Sequence, residues 1–120
     1  MTQLLLSSTT FGTAGGNYNG SSASFNSKQI RASGYEGYTN GLHTVVGVVK
    51  NFVGIITIQG TLTTTPSTDE DWFNITVLIG DGSSIVSNGA VSNITLSATY
   101  LRLNVSSFTA GNITSVHIRH

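Results

Sequence analysis

Few residues of this sequence could act as a nucleophile, an acid or a base, and they are widely separated. Nucleophilic catalysis needs a base beside a serine, threonine or cysteine, and the sequence has no cysteine and 3 histidines. His43 begins a predicted strand, whereas His117 and His120 lie at the chain end, which positions a catalytic group poorly. A Gly-x-Ser-x-Gly motif is absent. We therefore expect no enzyme activity and no cofactor.

The acidic residues offer one further kind of chemistry. Three of them, Asp69, Glu70 and Asp71, are adjacent, whereas Glu36 and Asp81 lie elsewhere. Neighbouring carboxylates do not face each other across a cleft, as glycoside hydrolysis requires. A solvated turn explains the cluster, and a calcium site is the functional alternative because hard cations take oxygen ligands. The spacing of an EF-hand is absent, and the sequence leaves cation binding open.

Aromatic residues are the better candidates for binding. Tyr35 and Tyr38 flank Gly37 in a segment of turn-forming residues, so we expect them to be exposed. Trp72 directly precedes an alternating strand, where a tryptophan either anchors the edge of the core or stacks on a sugar. We favour the core anchor for Trp72, and we keep Trp72, Tyr35 and Tyr38 as candidate glycan contacts.

The charge content restricts the partners. Only 8% of the 120 residues are charged and the formal net charge is zero, against about 25% charged residues in an average soluble domain. Nucleic-acid binding needs clustered Lys and Arg, and a membrane span needs roughly 20 apolar residues, so we expect neither partner. The N-terminus has no basic start and no long apolar stretch, which predicts no signal peptide. The composition fits a Ser/Thr/Asn-rich β protein or a chain covered by neighbours in an assembly.

Alternation of apolar and polar residues predicts the elements that must position these groups. Runs rich in β-branched residues predict strands at 28–32, 43–50, 55–59, 72–79, 94–96, 100–105 and 113–119. Residues 52–54 and 110–112 are predicted turns, so the runs on either side of 52–54 form a predicted hairpin. The acidic residues after Pro66 predict at most one helical turn. We expect one all-β domain, a single antiparallel β-sandwich of jelly-roll type with about eight strands, and an open barrel is the alternative.

A Gly/Ser/Asn-rich N-terminal segment completes the prediction. Residues 11–27 have neither helical nor strand periodicity, so they form a predicted loop or flexible arm. We divide the chain into an N-terminal strand and arm at 1–33 and a β-sandwich core at 34–120. Such an arm can become ordered on a partner, and deleting it should then abolish binding and leave the sandwich folded. The candidate assembly contacts are its aromatic residues and the two tyrosines that follow it: Phe11, Tyr18, Phe25, Tyr35 and Tyr38.

Three motif regions resemble a known class of proteins. They are Asn51-Phe52-x-Gly54 continuing through Gln59-Gly60-x-Leu62, Thr65-Pro66 and Glu70-Asp71-Trp72-Phe73; Gly34-Tyr35-x-Gly37-x2-Asn40-Gly41; and Asn104-Val105-x2-Phe108-Thr109-x-Gly111-x-Ile113. In these regions the chain resembles small β-sandwich virion structural proteins of tailed bacteriophages.

The resemblance implies a non-enzymatic protein present in many copies in the virion after assembly in the host cytoplasm. The chain is short and has no helical shaft or fibre repeat, which favours a capsid decoration (cement) protein that stabilises the shell. Its expected partners are the major capsid protein or other virion proteins. Homo-oligomers, trimers first, are also expected. The alternative is a tail or baseplate accessory protein whose β-sandwich binds a carbohydrate or a receptor.

Overall fold

The computed structural model describes residues 2–15, 18–32, 42–95 and 98–119, and in them the chain is built of strands. All pairings between the named strands are antiparallel and connect them into one eight-stranded sheet. The predicted all-β class is therefore confirmed. None of the described residues belongs to a helix long and apolar enough to cross a membrane. The strands are β1 (Thr2–Leu6), β2 (Thr9–Thr10), β3 (Phe25–Asn26), β4 (Ile30–Arg31), β5 (Leu42–Thr61), β6 (Phe73–Ile79), β7 (Gly89–Thr95) and β8 (Tyr100–Arg119).

Two long strands carry the architecture. β5 and β8 are each 20 residues long and pair with each other along almost their whole length. The predicted hairpin around residues 52–54 and the predicted turn at 110–112 are therefore wrong, because the chain bends there without reversing. The bends coincide with positive φ angles at Asn51 (53°) and Ser107 (52°) and with shifts in the β5–β8 register between Val48 and Ile55. Such irregularities sharpen strand bending.

The bends divide the sheet into two parts. The first half-sheet contains β1, β2 and β7 around residues 42–49 and 112–119. The second half-sheet contains β3, β4 and β6 around residues 55–61 and 100–106. The two halves are in contact, since a Cβ added at Gly47 of the first half would lie 3.0 Å from the ends of Leu78 and Ile79 of the second. The fold is thus sandwich-like, and the jelly-roll topology stays a prediction.

The core lies between the half-sheets and is closed at the bends by aromatic rings. Phe108 is fully buried. Its ring centroid lies 5.5 Å from those of Phe11 and Phe52, 5.3 Å from that of Tyr18 and 6.1 Å from that of Phe25. These distances are typical of tilted and edge-to-face aromatic packing. The cluster joins both bends to the N-terminal segment.

The N-terminal segment is part of this domain and differs from the predicted arm. Residues 2–31 supply four short strands that pair with β8 in succession. Tyr18 is only 2% exposed, and its hydroxyl accepts a hydrogen bond from the Gly12 amide at 3.1 Å. The segment covers an edge of β8 that would otherwise present unpaired backbone groups. Its deletion would expose β8 and remove core side chains, so the expectation that the truncated sandwich stays folded no longer holds.

Candidate functional site

The outer side of the first half-sheet carries a row of exposed apolar side chains. Leu4 pairs with His117, His117 with Val46, and Val46 with Val91, so the four residues lie in register across four strands. Directly paired residues project from the same face of a sheet. Leu4 and Val46 are each 38% exposed and Val91 is 65% exposed. We call these four residues the outer row.

The outer row has an apolar neighbour on one side and polar or basic neighbours on the other. Val48, 40% exposed, lies two residues along β5 from Val46 and faces the same side. On the other side of the row, the Thr44 hydroxyl donates a hydrogen bond to Asn93 Oδ1 at 2.8 Å. Arg119 pairs with Thr44, and with Val46 and His117 these residues line a concavity of about 430 Å³. Among the described residues that line this concavity, Arg119 is the basic one and none is a carboxylate.

The outer side of the second half-sheet has a different chemistry. Arg102 on β8 donates from Nε to Gln59 Oε1 on β5, and Gln59 donates from Nε2 to Asn74 Oδ1 on β6, both at 2.8 Å. The Arg102 guanidinium carbon also lies 4.3 Å from the centre of the Trp72 ring. This distance is within the range of a cation–π contact. One polar chain of contacts therefore crosses three strands and ends at the single tryptophan.

The predicted aromatic contacts are separated by the structure. Phe11 is 42% exposed and remains at the surface, where it also packs edge-on against Phe108. Tyr18 and Phe25 are 2% and 8% exposed, so their proposed role as contacts to a neighbouring protein is corrected. They belong to the core because the segment that carries them folds back on β8. Tyr35 and Tyr38 lie outside the described residues.

Trp72 takes neither of the two predicted positions in full. Its side chain is partly exposed just before β6, so it is not a deeply buried anchor. Its contact with Arg102 uses a ring face that a sugar would also need. The polar ladder of Arg102, Gln59 and Asn74 supplies amide and guanidinium groups, which are suited to hydrogen-bond hydroxyl groups.

The acidic residues form turns. The predicted helical turn is present as a 3-10 helix at Asp69–Asp71. The Asp71 carboxylate accepts hydrogen bonds from the Ser67 and Thr68 amides at 2.8 and 3.1 Å, and these bonds lower its pKa. Within the described part of the chain, no group of three or more acidic or histidine side chains could hold a metal ion.

Asp81 forms a second turn of the same kind. Its Oδ1 accepts hydrogen bonds from the Ser84 amide at 2.8 Å and the Ser83 amide at 2.9 Å. Donors directed at a carboxylate favour its charged form, and they lower the pKa of Asp81 to about 2. Both carboxylates thus have a structural use within their own loops.

The sequence did not single out the outer row. Val45 to Val49 are apolar on both faces of β5 apart from Gly47, so alternation could not tell the buried Val45 from the exposed Val46. The continuous apolar run was the only signal, because a sheet with one solvated face normally alternates with polar residues. His43, named above as a histidine at a strand start, is fully buried.

Comparisons with known proteins do not extend this description. No protein-family model matches the sequence. A search of curated protein sequences likewise finds no match.

Proposed function

We propose that this chain is a non-catalytic virion structural protein that binds a larger assembly through its outer row. The observation that carries the proposal is the row itself, in which Leu4, Val46 and Val91 are aligned and exposed on one face of the sheet. A contiguous exposed apolar patch with a polar rim is typical of a protein interaction site. Arg is enriched in such interfaces and Lys and Glu are depleted, which agrees with Arg119 beside the row.

The energetics of covering this face are favourable. Complete burial of a valine or leucine side chain contributes about 1.5–3 kcal/mol. At the observed exposures, covering each apolar side chain of the row would contribute roughly 1 kcal/mol. Few charges would have to be desolvated, because only 8% of the residues are charged and buried charges are costly without partners. A repeated contact of this strength suits a protein bound in many copies.

The resemblance to phage virion proteins supports the identity of the partner. On that basis the proposed assembly is a capsid shell, the proposed partner is its major capsid protein, and the role is decoration that stabilises the shell. The face that binds is then the first half-sheet, in place of the flexible arm predicted from the sequence.

A second function is favoured by one separate observation. Trp72 and the ladder of Arg102, Gln59 and Asn74 combine an aromatic ring with amide and guanidinium groups on the opposite half-sheet. Sugar-binding surfaces combine the same groups. The alternative proposal is a tail or baseplate accessory protein that binds a glycan there.

The deciding measurement is light scattering of the protein with empty capsids of the phage that encodes it. We expect binding at high copy number and a rise in the melting temperature of the capsid. Val46→Glu should abolish binding, because it places a charge in the middle of the row. Val77→Glu is the matched control, since Val77 is also exposed (53%) on a strand but belongs to the second half-sheet.

Two results would contradict the capsid proposal. One is wild-type protein that does not associate with capsids, and the other is equal binding by the Val46→Glu and Val77→Glu variants. Glycan binding that is lost in Trp72→Ala, with the fold intact, would support the tail alternative.

A further inference from the structure

β7 forms one edge of the first half-sheet. Among the described residues, β7 pairs with β5 on one side and with no strand on the other. The Val49 amide donates to the Asn88 carbonyl at 3.1 Å. Antiparallel pairing alternates the direction of the backbone groups, so those of Ala90, Ser92 and Ile94 point to β5. The backbone N–H and C=O groups of Gly89, Val91 and Asn93 therefore point to solvent.

The usual protections of a free edge are missing from β7. Edge strands of monomers carry Lys, Pro, bulges or inward charges, which prevent pairing with another chain. Residues 82–95 contain no charged residue and no proline, and β7 pairs with β5 over seven consecutive positions without a register shift. Val91 within the strand and Ile85 just before it are 65% and 71% exposed. β7 is thus a regular, uncharged strand with exposed apolar neighbours.

The other edges of the sheet are protected. The N-terminal edge is divided into four short strands separated by irregular chain, and it carries Lys28 and Arg31. β6 has two register shifts against β5 and lies between the acidic turns of Asp71 and Asp81. Of the edges described, β7 is therefore the one that is best suited to pair with a strand of another chain.

We propose that β7 pairs with β7 of a second copy of this chain, in antiparallel orientation about a two-fold axis. An uncharged strand can approach its own copy without bringing like charges together, which an edge bearing Lys cannot do. The outward backbone groups of Gly89, Val91 and Asn93 supply donors and acceptors in the alternation that an antiparallel partner needs. In the proposed register the two-fold axis passes between the two Val91 residues, whose outward N–H and C=O groups bond to each other. Their exposed side chains then become neighbours and cover each other.

The pairing would also align the two binding faces. The outer row ends at Val91 on β7, so two copies joined edge to edge place their outer rows in one continuous surface. This inference does not depend on the capsid proposal, because the dimer forms in the isolated protein. A two-fold contact of this kind produces a dimer and not the trimer expected from the sequence.

The test is the mass of the full chain in solution, measured by light scattering at several concentrations. We expect twice the chain mass of 12.6 kDa. Val91→Pro removes an N–H that points to solvent, a position where proline is tolerated on an edge strand, and should give monomers. Val91→Thr is the control: it keeps the N–H and the β-branched shape and should remain a dimer.

A second variant tests the same edge without proline. Val91 is 65% exposed, and Val91→Lys would place two like charges opposite each other at the two-fold axis without disturbing the core, so it should also give monomers. It decides the question by itself if Val91→Pro disturbs the fold. The inference is overturned by a monomeric or trimeric wild-type protein, or by a dimer that persists in Val91→Lys.

Discussion

Replacing Phe108 by alanine tests whether the N-terminal segment belongs to the core. Phe108 is fully buried and its ring meets those of Phe11, Tyr18, Phe25 and Phe52 within 6.1 Å. Truncation of a buried phenylalanine to alanine costs about 3–5 kcal/mol, and each aromatic pair adds about 0.5–1.5 kcal/mol beyond its buried area. Because four ring contacts are lost together, we expect a loss at the upper end, about 5 kcal/mol.

The assay is urea unfolding of the purified variant followed by circular dichroism. A loss of about 5 kcal/mol is a large part of the 5–15 kcal/mol that stabilises a typical domain. Phe11→Ala is the matched control, because it deletes the same side chain from the same cluster at a position that is 42% exposed. Its cost should be about 1 kcal/mol.

Equal losses for Phe108→Ala and Phe11→Ala would refute the reasoning. That result would mean that Phe108 does not lie at the centre of a packed cluster, and that Tyr18 and Phe25 do not pack on it. That result would support the flexible arm predicted from the sequence. A loss for Phe108→Ala at least threefold larger supports the packed segment.

Three further predictions follow from single contacts. Gly111 has φ +93°, and a Cβ added there would overlap the backbone at the facing bend, whereas Gly12 has φ +89° with nothing within 4 Å. Gly111→Ala should therefore destabilise the protein more than Gly12→Ala in thermal melts. The backbone strain of Gly12→Ala alone is about 1–2 kcal/mol. The pKa of Asp81 is lowered to about 2 from 3.8, so the stabilising effect of its charged form is present above pH 4 and is lost as the pH falls towards 2. The melting temperature of Asp81→Asn should therefore depend less on pH between 4 and 2 than that of the wild-type protein. The same pH dependence in both proteins would contradict this. Arg102→Met should lower stability by about 1 kcal/mol, because it removes the guanidinium from the Trp72 ring. It should also change the emission wavelength of Trp72, the one tryptophan, and unchanged emission would contradict the contact.

Local pattern predicted the elements well where neighbouring residues decide them. The alternation of 72–79 predicted β6, and acidic residues after Pro66 predicted the single turn at Asp69–Asp71. The candidate contacts were less predictable. Isolated aromatics in a glycine-rich segment have no periodicity, so their burial depends on where the segment packs, and the structure buries Tyr18 and Phe25 against Phe108.

The sequence also contains two similar motifs whose role is given by the structure. Phe52-x-Gly54-Ile55 is matched by Phe108-x-x-Gly111-x-Ile113, and each motif includes residues of one of the predicted turns at 52–54 and 110–112. In the structure the two motifs mark the facing bends of β5 and β8, with the rings of Phe52 and Phe108 5.5 Å apart. At both motifs a paired strand bends, and the chain does not reverse its direction.

By itself the sequence determined the all-β class, because β-branched residues and period-two alternation act between near neighbours. The tertiary structure decided whether glycine-containing segments such as 52–54 and 110–112 bend or reverse, since both outcomes use the same residues and only the pairing partner distinguishes them. It also decided which face of β5 is covered. Val45 and Val46 have the same chemistry, and packing of the second half-sheet buries Val45 and leaves Val46 exposed.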